Sequence, residues 1–394
     1  MRVDHNPRLP LRLRALRSLT AVAIALFGLA LLAPAALAQA AAEEFAVERV
    51  FFRATLENRS VRLEGLIVKR SDLAGRKLPV ALITHGKSSH LTDMLESKAS
   101  DYIGPARDLA RRGWLAVVVM RRGFGQSDGP MAAAVSCSTT SFADRFAADA
   151  DDLEGALTAV TRRPDADPSR AIAIGVSAGG AAVVALAARN PKNLRGVISI
   201  SGGLRMPDCP KEDVLVNAFR DFGLVSRIPN LWIYARNDSF FGPELVERLQ
   251  TVFLDGGGDI KLVMYPKFGK DGHSLFNAAA GKLQWLMEMD AFLRFHGLPA
   301  ARRDHIADLM KLLRLESRQR GFLDRYLAAP TYKVMAQTAD GKHHFTQFGA
   351  GSLDVARKAA LKACEDRYKS ADPCRIVMEN DAWLGGGAAG GDRP

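Results

Sequence analysis

The chain has 394 residues, 48% hydrophobic and 25% charged, which is enough for one large domain with a sizeable core and a smaller companion. The formal charge is +11, of which Arg2, Arg8, Arg12, Arg14 and Arg17 against Asp4 place about +4 at the N-terminus; the remaining surplus suits an anionic substrate or surface. No compact Lys/Arg block with interleaved aromatics occurs, which argues against a nucleic-acid partner, and no Cys-x-x-Cys or His-x-x-x-His spacing points to a metal or cofactor.

The basic start runs into the apolar residues 19–32 and then Ala36-Leu37-Ala38, a small-x-small cleavage site. Residues 1–38 therefore read as a secretory signal peptide, cut after Ala38. The apolar run of about 14 residues is short of the ~20 that span a bilayer, so no stable membrane span is expected once the signal is removed. The mature chain is expected to be secreted into an oxidising compartment, a bacterial periplasm. Four cysteines, Cys137, Cys209, Cys364 and Cys374, form an even set for which pairing is the default there.

Residues 45–56 and 60–69 alternate apolar and polar around 57–59, the pattern of an antiparallel hairpin. Residues 78–84 form a continuous apolar strand, as helices covering both faces demand, and it ends in His85-Gly86-Lys87. Helical sequence up to Arg112, a strand over 114–120, the glycine-rich turn 121–129 and a helix over 142–162 follow. The strand Ala171-Ile172-Ala173-Ile174 then runs through Gly175-Val176-Ser177-Ala178-Gly179 into Ala-rich helical sequence. This Gly-x-Ser-x-Gly pattern between a strand and a helix is a nucleophile elbow. Its serine sits exposed on a strained turn, flanked by glycines where a Cβ would block close packing.

Further strands are expected over 194–201, 230–235 and 260–265, with helices over 243–253 and 275–295. Residues 204–229 show little strand character and read as a short helical cap. Strands alternating with helices give an α/β domain, residues 39–299, with a mostly parallel sheet and helices on both faces. In such sheets ligands bind beyond the carboxyl ends of the strands, where all the special loops lie. Residues 300–330 read as a helical linker, residues 331–383 as a small α+β module, and residues 384–394, rich in glycine and alanine, as a disordered tail.

A serine hydroxyl needs a base at hydrogen-bond distance and a carboxylate that orients it. Ser177, Asp238 and His273 occur in the chain order that an elbow uses, each just past a different strand. His273 is favoured over His85, His90, His296, His305, His343 and His344 by position. Asp238 is favoured over Asp271, which is close to His273 in sequence, over Asp208 in the cap, and over a role as a surface helix cap. The oxyanion hole requires two backbone N–H groups, assigned to Ala178 after the nucleophile and to Lys87 in the His85-Gly86-Lys87 loop, with His85 and Gly86 as its support. Cys137 and Cys209 fall in loops that overhang the elbow, which predicts a Cys137–Cys209 bond pinning the cap over Ser177. A Cys364–Cys374 bond would staple the small module.

His85-Gly86, the run from Arg122 to Gly129, Gly175-Val176-Ser177-Ala178-Gly179-Gly180, Asp238 and Gly272-His273 together resemble the α/β-hydrolase superfamily over about residues 45–297. Within it the chain is most similar to dienelactone-hydrolase-like and prolyl-oligopeptidase-like exported hydrolases, through its doubled Gly179-Gly180. Dienelactone hydrolases often carry a cysteine nucleophile; Ser177 here points to a general esterase or a peptidase-like acyl hydrolase. The resemblance implies a small-molecule ester or acyl substrate and no cofactor. The alternative from another class is a non-catalytic envelope-binding protein, with the hydrolase fold as scaffold and residues 331–383 binding an envelope component.

Overall fold

A computed structural model describes residues 44–384 apart from 57–58, 89, 131–136, 206–208, 210–211, 301–304, 330–331, 370–371 and 381. The expected signal peptide (residues 1–38), Asp208 and the expected tail beyond residue 384 lie outside the described residues.

The hairpin of β1 (Phe45–Leu56) and β2 (Arg59–Arg70) opens an eight-stranded sheet. Its further strands are β3 (Leu78–Thr84), β4 (Leu115–Val119), β5 (Ala166–Val176), β6 (Leu194–Ile200), β7 (Asn230–Ala235) and β8 (Ile260–Tyr265). The order is β1-β2-β4-β3-β5-β6-β7-β8, antiparallel from β1 to β4 and parallel from β4 to β8. Period-two side chains explain why the apolar strands are covered twice. Val80, Leu82, Ala171, Ala173, Trp232 and Tyr234 face one core, while Ala81, Ile83, Ile172, Ile174, Leu231 and Ile233 face the other.

The first core lies under α3 (Thr139–Thr161), α4 (Ala178–Ala188), α5 (Asp213–Val225) and α6 (Pro243–Asp255). The second lies under α2 (Ile103–Arg111) and α7 (Ala279–Phe295). Helix α4 is buried along its whole length from Ala178 to Ala187, as a helix apolar all round must be. Parallel register brings Thr84 level with Gly175, Ile200 level with Val176 and Ala235 level with Tyr265. The loops that follow these strands thus emerge along one edge.

Three expectations change. The helical run before Arg112 is split into α1 (Leu91–Glu96), a 3-10 turn at Ala99–Tyr102, and α2, because Ser97 and Lys98 are extended. The Glu64 carboxylate fixes that break, accepting from the N–H groups of Ala99 (2.9 Å) and Gln126 (2.8 Å). The helix of the expected cap, α5, belongs to the helical layer: Phe219 packs edge-on against Trp232 in the first core, with ring centroids 5.1 Å apart. Its 3.6-residue apolar stripe outweighs any tendency to lie free over the site.

The third change concerns residues 300–330. Helices α8 (His305–Leu312) and α9 (Arg320–Ala328), expected as a linker, cover one face of the sheet of the C-terminal unit, and α9 also contacts α7. The unit is a four-stranded sheet, β10-β9-β11-β12, of β9 (Val334–Gln337), β10 (His344–Gln347), β11 (Arg375–Glu379) and β12 (Ala382–Trp383). Met335, Val377 and Met378 pack on Leu309, Leu313, Leu323 and Tyr326 of the helical side. Val334 and Ala336 face α10 (Leu353–Tyr368), which contributes Ala356, Ala360 and Cys364. Cys364 and Cys374 are joined, with Cα atoms 6.2 Å apart. Lys333 is fully buried, and its ammonium donates to the carbonyls of Leu327 (2.6 Å) and Ala329 (3.0 Å) at the end of α9, where a helix presents partial negative charge. Among the described residues, no helix is long and apolar enough to cross a membrane.

Candidate active site

Ser177 sits between β5 and α4 with φ 55° and ψ −125°, a conformation that a non-glycine residue adopts only when its surroundings compel it. They do so by hydrogen bonds: Ser177 N–H donates to Ile200 carbonyl (3.0 Å), and the Ser177 carbonyl accepts from Gly203 (3.1 Å) and Ala181 (3.2 Å). The glycines around it answer to close approach. A Cβ on Gly175 would lie 2.0 Å from the Gly179 carbonyl oxygen, and one on Gly179 would lie 2.3 Å from that of His85.

His273 stands in a 3-10 turn, Gly272–Ser274, after β8. Its Nε2 is 3.1 Å from Ser177 Oγ, and its Nδ1 is 3.0 Å from Asp238 Oδ1 and 3.1 Å from Oδ2. An Nδ1–H donated to the carboxylate leaves the Nε2 lone pair directed at the serine hydroxyl. The Asp238 side chain is fully buried, and Oδ1 also accepts from the N–H groups of Phe240 (2.9 Å) and Phe241 (3.0 Å). It does not cap α6, whose N-cap is Gly242. Phe240, half-exposed, lies over the imidazole with ring centroids 4.5 Å apart.

Asp271 is not the carboxylate that meets the His273 ring. It straps the histidine loop to the Asp238 loop, accepting from His273 N–H (2.9 Å), Ser239 N–H (3.1 Å) and Ser239 Oγ (2.7 Å). Although partial burial pushes its pKa upward, the Ser239 hydroxyl and these N–H donors hold it below the ordinary carboxylate value. Asn237 makes a second strap: its amide pairs with the backbone of Phe268 in both directions (2.7 and 3.0 Å), and its carbonyl accepts from Gly272 N–H (3.0 Å). Sequence reasoning missed Asn237; its place directly before Asp238 at a strand end was the available signal.

The His85-Gly86-Lys87 loop follows β3 and lies beside the serine. A Cβ on Gly86 would be 3.2 Å from Ser177 Cβ. His85 is buried, packs its ring at a tilt against Phe124 with centroids 4.2 Å apart, and is held well below the ordinary imidazole pKa by burial and by the positive charge of Arg121. The Lys87 ammonium is half-buried, and burial with the nearby Arg145 charge lowers its pKa. Cys137 and Cys209 are joined with Cα atoms 5.0 Å apart. Cys209 lines a small cavity of about 40 Å³ with Leu204, Phe240 and Phe241. Among the described residues, no group of three or more His, Cys, Asp or Glu side chains is arranged to hold a metal ion.

Residues 79–250 match the model of a family described as serine aminopeptidase, S33. The chain carries a serine α/β-hydrolase domain. The domain is also similar to solved structures of low identity. One is a protein described as a dienelactone hydrolase from Klebsiella pneumoniae (18% identity, 62% of this chain and 98% of that one, TM-score 0.44). Others are an esterase from Pyrococcus furiosus (16%, 64% and 90%, 0.44) and an acylaminoacyl peptidase from Pyrococcus horikoshii (16%, 66% and 43%, 0.47). No curated protein matches the sequence.

Proposed function

We propose that this hydrolase domain cleaves carboxylic esters through an acyl-enzyme on Ser177. His273 Nε2 removes the hydroxyl proton as Ser177 Oγ attacks the ester carbonyl. Asp238 holds the imidazole in the tautomer required and stabilises the imidazolium that forms. The tetrahedral oxyanion is bound by the N–H groups of Ala178, at the positive end of α4, and of Lys87. The imidazolium returns its proton to the departing alcohol, and water activated by the same ring releases the acid. The observation that carries this reading is the pair of contacts on one ring, 3.1 Å to Ser177 Oγ and 3.0 Å to Asp238 Oδ1.

The test is labelling by a fluorophosphonate probe together with burst kinetics on a short-chain p-nitrophenyl ester. Label on Ser177 and a burst equal to enzyme concentration are expected, both abolished in Ser177→Ala. An unlabelled native chain would turn the reading toward a non-catalytic scaffold. A peptidase reading uses the same residues and draws support from the description of the matching family, serine aminopeptidase. Turnover of aminoacyl p-nitroanilides at rates rivalling the esters would favour it.

Export is part of the same proposal, supported by two disulfides and a signal-like N-terminus. Expression with fractionation should give a periplasmic chain that begins at Gln39.

A further inference from the structure

Arg121 belongs to no expected site, yet it is fully buried at the end of β4 and bonded to the loop beside Ser177. Its guanidinium donates from one nitrogen to the carbonyls of His85 (3.0 Å) and Gly86 (3.4 Å). Its backbone N–H donates to His85 Nε2 (2.9 Å), so that nitrogen is the acceptor and the ring proton sits on Nδ1. Nδ1 in turn donates to the Gly86 carbonyl (2.7 Å). The Tyr102 hydroxyl, largely buried, bonds the same Gly86 backbone, which opposes the rise in its pKa that burial causes. Asp149 anchors the guanidinium from behind at 3.5 Å and is itself held by Arg145 (3.0 Å).

Two donors, the Arg121 guanidinium and His85 Nδ1–H, therefore converge on one carbonyl, and Tyr102 holds the backbone of the same residue. In a planar trans peptide the C=O and N–H point in opposite directions, so fixing the Gly86 oxygen fixes the Lys87 N–H. Gly86 is packed against Ser177. We infer that Arg121 and Tyr102 are positioning residues, which lock the Gly86–Lys87 peptide in the orientation that presents the Lys87 N–H to the oxyanion. This rests on the proposed ester hydrolysis and adds to it the device that sets the geometry of half its oxyanion hole. A pre-set peptide need not turn when charge develops, which is where an enzyme gains over water. Neither residue touches substrate; Arg121 acts through the Gly86 carbonyl and Tyr102 through the Gly86 backbone.

The experiment compares Tyr102→Phe, Arg121→Lys and Arg122→Lys in the full-length mature chain. Arg122 is a neighbouring control, mostly buried, whose guanidinium bonds Asp152 and the Ala148 carbonyl. Tyr102→Phe removes only a hydroxyl and leaves no cavity, so it reads the peptide's orientation even if Arg121→Lys does not fold. Turnover of a p-nitrophenyl ester and the affinity of a boronic acid, which forms a tetrahedral anion on the serine, are measured together. Both Tyr102→Phe and Arg121→Lys should lose roughly tenfold to hundredfold in kcat with KM nearly unchanged, short of the ~10²–10³ lost with a whole oxyanion donor. Boronate affinity should fall in parallel, while fluorophosphonate still labels Ser177. Arg122→Lys should keep its kcat.

Wild-type kcat and boronate affinity in Tyr102→Phe would overturn the inference while leaving the hydrolase reading intact. Equal losses in Arg122→Lys and Arg121→Lys would also overturn it, since a merely structural role affects both. A native chain with neither label nor turnover removes both readings.

Discussion

Gly86→Ala is the sharpest probe of how closely the oxyanion loop must approach the serine. The added methyl would sit 3.2 Å from Ser177 Cβ and 3.4 Å from the Val176 carbonyl oxygen. Ordinary van der Waals contact begins near 3.4 Å, so the loop must withdraw by a few tenths of an ångström. A misplacement of about 1 Å costs on the order of a hundredfold in rate, so a shift of about 0.3 Å should lower kcat roughly threefold to tenfold. Folding should hardly register it, because alanine also restricts the unfolded chain, by about 0.4–1 kcal/mol. Gly179→Ala is the matched extreme. Its methyl would meet the His85 carbonyl oxygen at 2.3 Å, backbone that cannot rotate away, and overpacking of that kind costs about 1–3 kcal/mol or more. Steady-state kinetics on a p-nitrophenyl ester with thermal unfolding of the same samples separates the two. Full kcat in Gly86→Ala, or loss of Tm in it equal to that of Gly179→Ala, would refute the argument.

Asp238→Asn should lose about 10⁴ in kcat with little change in KM, since the amide holds the wrong imidazole tautomer; a loss below tenfold would exclude Asp238 as the orienting acid. Phe240→Ala should raise KM for aryl esters about fivefold with kcat little changed, because the half-exposed ring lies against His273 and offers about 1 kcal/mol of apolar contact to a substrate. Replacing Cys364 and Cys374 together by serine should destabilise the C-terminal unit by about 3 kcal/mol, the chain-entropy value for a loop of this length, seen as an earlier unfolding step by calorimetry. Asp152, raised to about 6 by burial against the opposing pull of Arg122, supplies a pH test. Between about pH 4 and 6 the folded chain holds a proton there that the unfolded chain has released. Native stability should therefore fall with rising pH, by about 1.4 kcal/mol per unit, relative to Asp152→Asn; parallel urea midpoints across that range would contradict it.

The elements that carry the site were readable because each leaves a local signature. Apolar runs of strand length, glycines at the elbow, and a serine, an aspartate and a histidine in order at strand ends need no knowledge of distant partners. What escaped was non-local. The break at Ser97–Lys98 depends on Glu64 reaching across from β2, and nothing in residues 91–111 announces it. Arg121 looked like one more arginine in a glycine-rich turn, since its importance lies in a histidine thirty-six residues earlier. Asp271 was weighed only as a rival to Asp238, because spacing shows which carboxylates lie near a histidine but not which side of the ring they approach. The helices at 305–328 read as a linker because charge dominates their surface, while their apolar stripe has meaning only once β9 and β11 are seen to lack a cover.

That last arrangement decides where the chain can be cut. Scissors placed at residue 330, where composition shifts, would strand Met335, Val377 and Met378 on one fragment and Leu309, Leu313, Leu323 and Tyr326 on the other, each with a greasy face turned to water. They would also strip Lys333 of the helix end that shelters its ammonium. A cut at residue 305 would keep that core in one piece but would part α9 from α7, which it contacts.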